Sequence, residues 1–139
     1  MDMHSEQARF SATTDGVTVA VEPEFLGDQS TPEEEHYVWA YHVEILNHGD
    51  HAVQLLRRHW SITDSLGRRQ EVDGEGVVGE QPVIEPGDRF EYTSACPLST
   101  PSGVMVGRYT LQDRVSGGLR EVAVPAFSLD SPHETAAVN

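Results

Sequence analysis

The sequence predicts an all-β fold, an antiparallel β-sandwich of about seven strands. Several segments alternate apolar and polar residues, which is the pattern of strands with one buried face. Clusters of Gly, Pro, Asn, Asp and Ser separate these segments at the spacing that is typical of all-β domains. No segment shows the 3.6-residue apolar period of an amphipathic helix. Together, these observations favour two packed sheets.

The first predicted strand follows a polar start. Residues 1–14 show no apolar pattern and are expected to form a flexible N-terminal segment. Residues 16–25 alternate and are rich in β-branched side chains, which predicts a half-buried strand. Residues 27–35 then form an acidic surface loop. The predicted sandwich domain runs from residue 15 to residue 130.

The clearest alternation in the chain lies in residues 36–46. Its buried face is predicted to carry Tyr37, Trp39, Tyr41, Val43 and Ile45. Residues 47–50, Asn-His-Gly-Asp, favour a tight turn, so residues 52–64 are expected to return beside this strand as a long central hairpin. The even spacing within that second strand predicts a buried face formed by Leu56, Trp60 and Ile62.

Three further strands are predicted in the second half of the chain. Residues 89–96 alternate, with Phe90, Tyr92, Ser94 and Cys96 on one face. Residues 104–113 form the next strand, with Met105, Tyr109 and Leu111 on one side. Residues 119–129 contain Pro125, which lacks an amide donor and therefore predicts an edge strand. Residues 131–139 are expected to be a C-terminal tail.

The predicted sandwich is of the immunoglobulin or fibronectin type III kind. A small barrel is the alternative that the same strand pattern allows. The cysteine pair that marks antibody domains is absent, because the chain has a single cysteine, Cys96. The expected similarity is therefore one of architecture.

The composition fits one soluble domain and narrows its partners. The chain has 139 residues and a formal charge of −14, with nine arginines and no lysine. This charge disfavours nucleic acids and anionic membranes as partners. No apolar run reaches the length of a membrane span, and the N-terminus lacks the features of a secretory signal. The single cysteine fits a reducing compartment, so a cytoplasmic location is expected.

Residues 73–82, DGEGVVGEQP, contain glycines at G-x-G-x-x-G spacing. A dinucleotide-binding loop needs a helix after the glycines, and Pro82 and Pro86 oppose one. The favoured interpretation is a bend between strands. The alternatives are a loop that binds a phosphate-bearing ligand and a weak cation site. The loop's candidate ligand residues are Gly74, Gly76, Gly79 and Arg58, and its candidate cation ligands are Asp73, Glu75 and Glu80.

A second weak metal candidate lies in the predicted turn at residues 48–51. His48, Asp50 and His51 would suit Co²⁺ better than Mg²⁺, which prefers oxygen ligands. The chain lacks the ligand spacing of common zinc sites, so no cofactor is firmly predicted beyond a candidate divalent cation. Exposed polar turn residues are the simpler interpretation.

The sequence does not assemble a catalytic set. Cys96 alternates in phase with core residues, which predicts a small packed side chain. His59 and Ser61 share a strand face, yet no third orienting group is apparent. Arg57 and Arg58 are adjacent and should point to opposite faces, so at most one can line a given pocket and brace the glycine loop by pairing with Glu75 or Glu80. A non-enzymatic role is therefore expected, with an activity on pyrophosphate compounds as the remaining enzymatic hypothesis.

Several ordered blocks of the chain closely resemble the bacterial ApaG family. The blocks are RHWSITD at residues 58–64, GEGVVGEQP, the Pro86-Gly87 turn with FEYTS after it, and CPL with TPSGVM after it. The resemblance extends from about Thr18 to about Ser128. It implies a fibronectin-like β-sandwich that occurs as a free-standing bacterial protein, and related domains occur in F-box proteins and in a polymerase-interacting protein. It brings no established catalytic activity.

The resemblance also implies an association with cobalt and magnesium efflux or resistance. A chain without a membrane span cannot conduct ions across a bilayer, so such a role would be indirect. The leading hypothesis is a binding module that presents loops or an edge strand to a protein partner, as a monomer or weak homodimer. The alternative is a sensor of a cation or of a phosphate metabolite, such as a nucleotide or pyrophosphate, that uses residues 73–82.

Overall fold

The computed structural model describes residues 8–134. The sandwich prediction is confirmed, with nine strands in place of about seven. The strands are β1 (Phe10–Thr14), β2 (Val17–Phe25), β3 (Tyr37–Asn47), β4 (Val53–Asp64), β5 (Arg69–Glu75), β6 (Val83–Ile84), β7 (Arg89–Leu98), β8 (Gly103–Asp113) and β9 (Leu119–Leu129). Two short 3-10 turns, Gly27–Gln29 and Pro32–Glu34, lie between β2 and β3. No helix within residues 8–134 is long and apolar enough to cross a membrane.

Two antiparallel sheets form the sandwich. The first has the strand order β1-β2-β3-β7, and the second has the order β5-β4-β8-β9 with the short β6 also paired to β4. On one side of the sandwich β9 packs against β1 and β2. On the opposite side, the edge strands β5 and β7 flank a groove between the sheets. Pro125 lies in β9, an edge strand, as its missing amide predicted.

The core lies between the inner faces of the two sheets. The predicted buried face of β3 is confirmed, since all five of its side chains are at most 8% exposed. Trp39 is 1% exposed, and its indole donates a hydrogen bond to the Asp130 carbonyl at 2.8 Å. On the facing sheet, Trp60 makes edge contacts with Tyr41, Tyr109 and Phe127. An aromatic cluster therefore joins the two sheets.

The predicted central hairpin of β3 and β4 is wrong, because these strands belong to different sheets. Asn47, at the end of β3, is 1% exposed. Its side-chain amide donates to the carbonyls of His51 and Ile84, both at 2.9 Å, and its side-chain oxygen accepts from the Gly49 amide at 2.9 Å. These bonds turn the chain away from β3 and into the second sheet.

The predicted inward face of β4 is confirmed at Trp60 and Ile62 and is wrong at Leu56. The register between β4 and β8 shifts between Leu55 and Arg57, so Leu56 is the extra residue of a β-bulge. Leu55 is fully buried in its place. After the bulge, the inward positions are those in phase with Trp60, and they include Arg58.

The additional strands come from segments without a clear apolar alternation. The segment of residues 1–14 was expected to be flexible, but β1 lies in its described part and pairs with β2 through a two-residue turn, whereas residues 1–7 lie outside the described residues. Asp15 and Gly16 have φ of +49° and +81°, and Asp-Gly is a strong hairpin signal that could have revealed this strand. The start of the predicted tail also packs on the domain, where His133 contacts the rings of Phe25 and Tyr37.

Candidate functional site

The glycine-rich segment ends β5 and forms a tight hairpin. The amide of Val77 donates to the Glu80 carbonyl at 2.8 Å, and the amide of Glu80 donates back to the Val77 carbonyl at 2.9 Å. The two central residues, Val78 and Gly79, have φ of +43° and +80°. Positive φ at both positions is the signature of a type I′ turn. The segment bends between strands, as predicted, and no helix begins there.

Glycine is favoured at each of the three positions of the motif for a different structural reason. Gly76 has φ of +64°, and a Cβ atom there would lie 2.2 Å from the Glu80 carbonyl oxygen. A Cβ atom on Gly74 would lie 2.8 Å from three atoms of the Arg58 guanidinium group. Gly79 has open space around it and is favoured by its φ alone. The spacing of the motif therefore follows from the path of the chain and the position of Arg58.

Arg58 holds the hairpin to β4. Its Nη1 donates to the carbonyls of Glu75 and Gly76, at 3.0 and 2.8 Å. Arg57 points to the other face, and its Nη1 lies 4.0 Å from the Glu75 carboxylate. The two predicted roles are thus divided, because Arg58 braces the loop through backbone carbonyls while Arg57 forms the ion pair with Glu75.

A groove opens on both sides of Arg58, between β5 and β7. One lobe, of about 270 Å³, has the apolar side chains Trp60, Ile62, Val72 and Met105 on its wall together with the polar Gln70 and Ser94, and we call it the apolar lobe. The other lobe, of about 290 Å³, lies against the hairpin. The residues that line both lobes are Tyr41, Arg58, Trp60 and Ser94. We call this continuous feature, with its apolar lobe and its hairpin lobe, the Arg58 groove.

The groove floor is polar yet uncharged apart from Arg58. Tyr92 lies in the hairpin lobe, and its hydroxyl group is 2.6 Å from that of the buried Tyr109. Burial raises the pKa of both phenols, so they are neutral at physiological pH. In the apolar lobe, burial raises the pKa of the Cys96 thiol to about 11, which leaves it protonated and weakly nucleophilic.

The hairpin offers few free amides to a phosphate. The amide of Gly76 donates to the Leu56 carbonyl at 2.8 Å, and those of Val77 and Glu80 donate to each other's carbonyls. A phosphate cradle requires several consecutive amides that point outward. Gly74 contributes close packing to Arg58 in place of a free amide cradle. The geometry of this loop is therefore suited to holding β5 against β4 and not to binding a phosphate.

The carboxylates of the predicted cation site do not converge. Asp73 lies 2.8 Å from His59 Nδ1, and the hydrogen bond with His59 lowers the pKa of that carboxyl. Glu75 is 79% exposed and lies near Arg57. Glu80 belongs to the hairpin turn. Within residues 8–134, no three His, Cys, Asp or Glu side chains are grouped so as to hold a metal ion.

The side chains of the second candidate metal site also contact different groups and do not converge. His48 Nε2 lies 3.0 Å from the Thr18 hydroxyl group, whereas His51 Nδ1 lies 2.8 Å from the Asp113 carboxylate. Asp50 lines a shallow surface depression together with His51 and Asp113. Hydrogen bonds from two backbone amides and from His51 hold the pKa of the Asp113 carboxyl well below its usual range. Asp113 therefore serves as a turn cap and a partner of His51.

The residues considered for nucleophilic catalysis are arranged around Glu71. The Ser61 hydroxyl group donates to one Glu71 carboxylate oxygen at 3.0 Å, and His59 Nε2 lies 2.7 Å from the other. Arg69 Nε donates to the Ser61 oxygen at 2.8 Å. Ser61 and His59 thus share a carboxylate and do not form the nucleophile–base hydrogen bond of a catalytic dyad.

Arg58 lies beside the loop, as the sequence predicts, whereas the groove is not apparent from the sequence. Ser94, Gln70 and Val72 line the groove, and no motif in the sequence marks them as ligand contacts. The groove needs the bulge at Leu56, which sets the phase of Arg58, and the pairing of β5 with β4. The weak alternation of β5 hid that pairing.

Comparison with known proteins identifies the family. The family model for the ApaG domain matches residues 27–113. The chain is 58% identical over 130 residues to Protein ApaG of Paramagnetospirillum magneticum, covering 94% of this chain and 99% of that protein. It is 59% identical over 124 residues to Protein ApaG of Rhodospirillum centenum, covering 89% and 95% of the two chains.

A solved structure agrees with these relatives. The crystal structure of the ApaA protein from Bordetella pertussis has a TM-score of 0.81 and 48% sequence identity, over 84% of this chain and 94% of that chain. The family match spans β3 to β8 and so contains Arg58, the hairpin and β7. The chain belongs to the ApaG domain family.

Proposed function

We propose that this protein is a non-enzymatic binding module that holds a segment of a partner protein along the Arg58 groove. The observation that carries the proposal is that two edge strands, β5 and β7, flank a groove lined by aromatic and apolar side chains. An edge strand presents unpaired backbone groups to which an extended segment can add. The groove beside it can take the side chains of that segment.

The hairpin forms a rigid rim along the groove. Val77 is fully buried and anchors the hairpin in the core, while Val78 is 53% exposed at the turn and lines the hairpin lobe. A β-branched residue at positive φ is strained, and such strain is concentrated at binding sites. An apolar side chain held at the rim of a groove fits a contact with a partner.

The charge of the protein bears on the kind of partner. With a formal charge of −14, the chain attracts basic protein surfaces and repels nucleic acids and anionic membranes. The family resemblance implies an association with cobalt and magnesium efflux or resistance. On this proposal, the protein would affect these processes indirectly, through its partner. Non-enzymatic action is supported by the neutral Cys96 thiol and by the pairing of both His59 and Ser61 with Glu71.

Photo-crosslinking in cells tests this function. A photoreactive amino acid placed at Gln70, which lines the apolar lobe, is expected to give a discrete crosslinked protein. The same group at Gln29, an exposed residue outside the groove, is the matched control and should give none. Equal adducts from both positions, or none from Gln70, would contradict a docking role for the groove.

The second candidate function is the sensing of a cation or phosphate metabolite by residues 73–82. It is favoured only by Arg58 and by the Val78 and Gly79 amides, which donate to no group within residues 8–134. Titration calorimetry with Co²⁺, Mg²⁺ and ATP separates it from protein binding. Saturable heat that disappears in an Arg58→Gln variant that still unfolds cooperatively would support it, and a flat trace for all three would remove it.

A further inference from the structure

We infer that the Arg58 groove recognises the free C-terminus of a partner polypeptide whose last residue is large and apolar. This inference rests on the proposed function and names the part of the partner that the groove takes.

Arg58 is an arginine without an internal counter-charge. Six of the nine arginines form ion pairs with carboxylates within residues 8–134, and Arg58 is not among them. Its Nη1 donates to two carbonyls, whereas its Nε and Nη2 donate to no group in the same part of the chain. A half-buried guanidinium group with two free donor nitrogens is complementary to one carboxylate, which it can bind through paired hydrogen bonds.

The two lobes determine the orientation in which a peptide terminus can bind Arg58. The apolar lobe, at about 270 Å³, has room for one large side chain and is walled by Trp60, Val72 and Met105. The hairpin lobe lies on the other side of Arg58 and reaches solvent past Glu75 and Val78. A terminal residue can place its carboxylate on Arg58 and its side chain in the apolar lobe, while the preceding chain leaves over the hairpin.

The rim favours a single terminal carboxylate over an acidic segment. Glu75 lines the hairpin lobe and its side chain is 79% exposed, so it lies along the path of the preceding residues. The chain as a whole carries a formal charge of −14. Basic residues before the terminus would be attracted to this rim, and additional carboxylates there would be repelled. The partner segment is therefore basic, with an apolar last residue and a free terminus.

Fluorescence polarisation with labelled peptides tests the inference on the full chain. The probe is fluorescein-Arg-Arg-Gly-Ser-Leu-Phe with a free carboxylate, and its C-terminal amide is the matched control. The free acid is expected to bind saturably and the amide about tenfold or more weakly, because the amide loses the charge-assisted hydrogen bonds. A third peptide that ends in Ala should also bind more weakly, since it leaves the apolar lobe unfilled.

Two protein variants locate the binding. Gln70→Glu is nearly isosteric and puts a negative charge at the apolar lobe. It should lower the affinity for the free-acid peptide by about fivefold or more while the thermal stability of the protein is unchanged. Gln29→Glu adds the same charge outside the groove and should leave the affinity unchanged. Arg58→Gln should remove the difference between acid and amide.

Each outcome decides the inference. Equal affinity of acid and amide, equal effects of Gln70→Glu and Gln29→Glu, or no saturable binding of the free acid up to about 1 mM would overturn it. An amidated peptide with Glu before its last residue that binds as tightly would assign the carboxylate to a side chain and also overturn it. Adducts at Gln70 in cells would in those cases still support the broader docking function.

Discussion

Arg58 and Gly74 are packed so closely that the guanidinium group of one occupies the place of a side chain on the other. A Cβ atom on Gly74 would lie 2.8 Å from the central carbon and from both terminal nitrogens of Arg58. This contact keeps the guanidinium group beside the carbonyls of Glu75 and Gly76. The contact therefore fixes the position of the hairpin and of the Arg58 guanidinium group relative to each other.

Substitution of the motif glycines should therefore have graded effects. In Gly74→Ala, Arg58 can swing away at the loss of its two hydrogen bonds, so we expect a destabilisation of about 1 to 2 kcal/mol. In Gly76→Ala, the clash is with the Glu80 backbone at positive φ, and we expect about 2 to 4 kcal/mol. Urea unfolding measures both.

Gly27→Ala is the control for this series. Gly27 is exposed, and a Cβ atom there would meet only the Phe25 ring at 3.9 Å. Its expected effect is within about 0.5 kcal/mol. Equal losses for Gly74→Ala and Gly76→Ala would contradict the different reasons that we assign to the two glycines.

Val78→Asn should stabilise the protein. Val78 occupies the first central position of a type I′ turn with φ of +43°, where a β-branched residue is strained and Asn is preferred. We expect a gain of about 0.5 to 1 kcal/mol in the free energy of unfolding, seen as a higher melting temperature. Val83→Asn, at an exposed strand position, serves as the control and should bring no gain. A lower melting temperature for Val78→Asn would be evidence against turn strain.

Acid should destabilise the protein partly through Glu44. This residue is 8% exposed and pairs with Arg9 at 2.8 Å and with Arg89, and the hydrogen bonds from the two arginines lower the pKa of its carboxyl. Because the folded-state pKa is below the ordinary value of 4.5, the stabilisation is complete above that value and is lost as the pH falls through the folded-state pKa.

Glu44→Gln makes this pH dependence measurable. The variant should be less stable than the natural protein at pH 7, and the difference in unfolding free energy should shrink as the pH falls below 4.5. Glu85→Gln, which removes an exposed carboxylate without an ion pair in residues 8–134, should show no such convergence. A difference between Glu44→Gln and the natural protein that is constant with pH would refute the role of the ionised carboxylate.

Asn47 should be critical for the crossing of the chain between the sheets. Its buried side chain forms hydrogen bonds with the backbone of Gly49, His51 and Ile84. Asn47→Ala leaves these groups without their partner and is expected to destabilise the protein by about 2 to 4 kcal/mol. Asn47→Asp keeps the acceptor for Gly49 but loses both donors, so it should be nearly as damaging. Thermal unfolding near the natural value for Asn47→Asp would show that the two donated bonds matter little.

The sequence alone determined the architecture and most of the buried faces. The alternation around Trp39 and around Tyr92 reports which side chains are buried, because successive residues of a strand point to opposite faces. The prolines after the glycines likewise excluded a helix, since proline fixes φ and lacks an amide donor. These properties are local, so they can be read from neighbouring residues.

The tertiary structure decided how the strands pair and where the groove lies. β3 and β4 separate into two sheets because Asn47 bonds to groups remote in sequence, such as the Ile84 carbonyl. The inward direction of Arg58 depends on one extra residue, Leu56, because a single-residue shift moves every following side chain to the other face. Alternation along one strand does not specify its partner strand, and the groove exists only between two edges that meet in space.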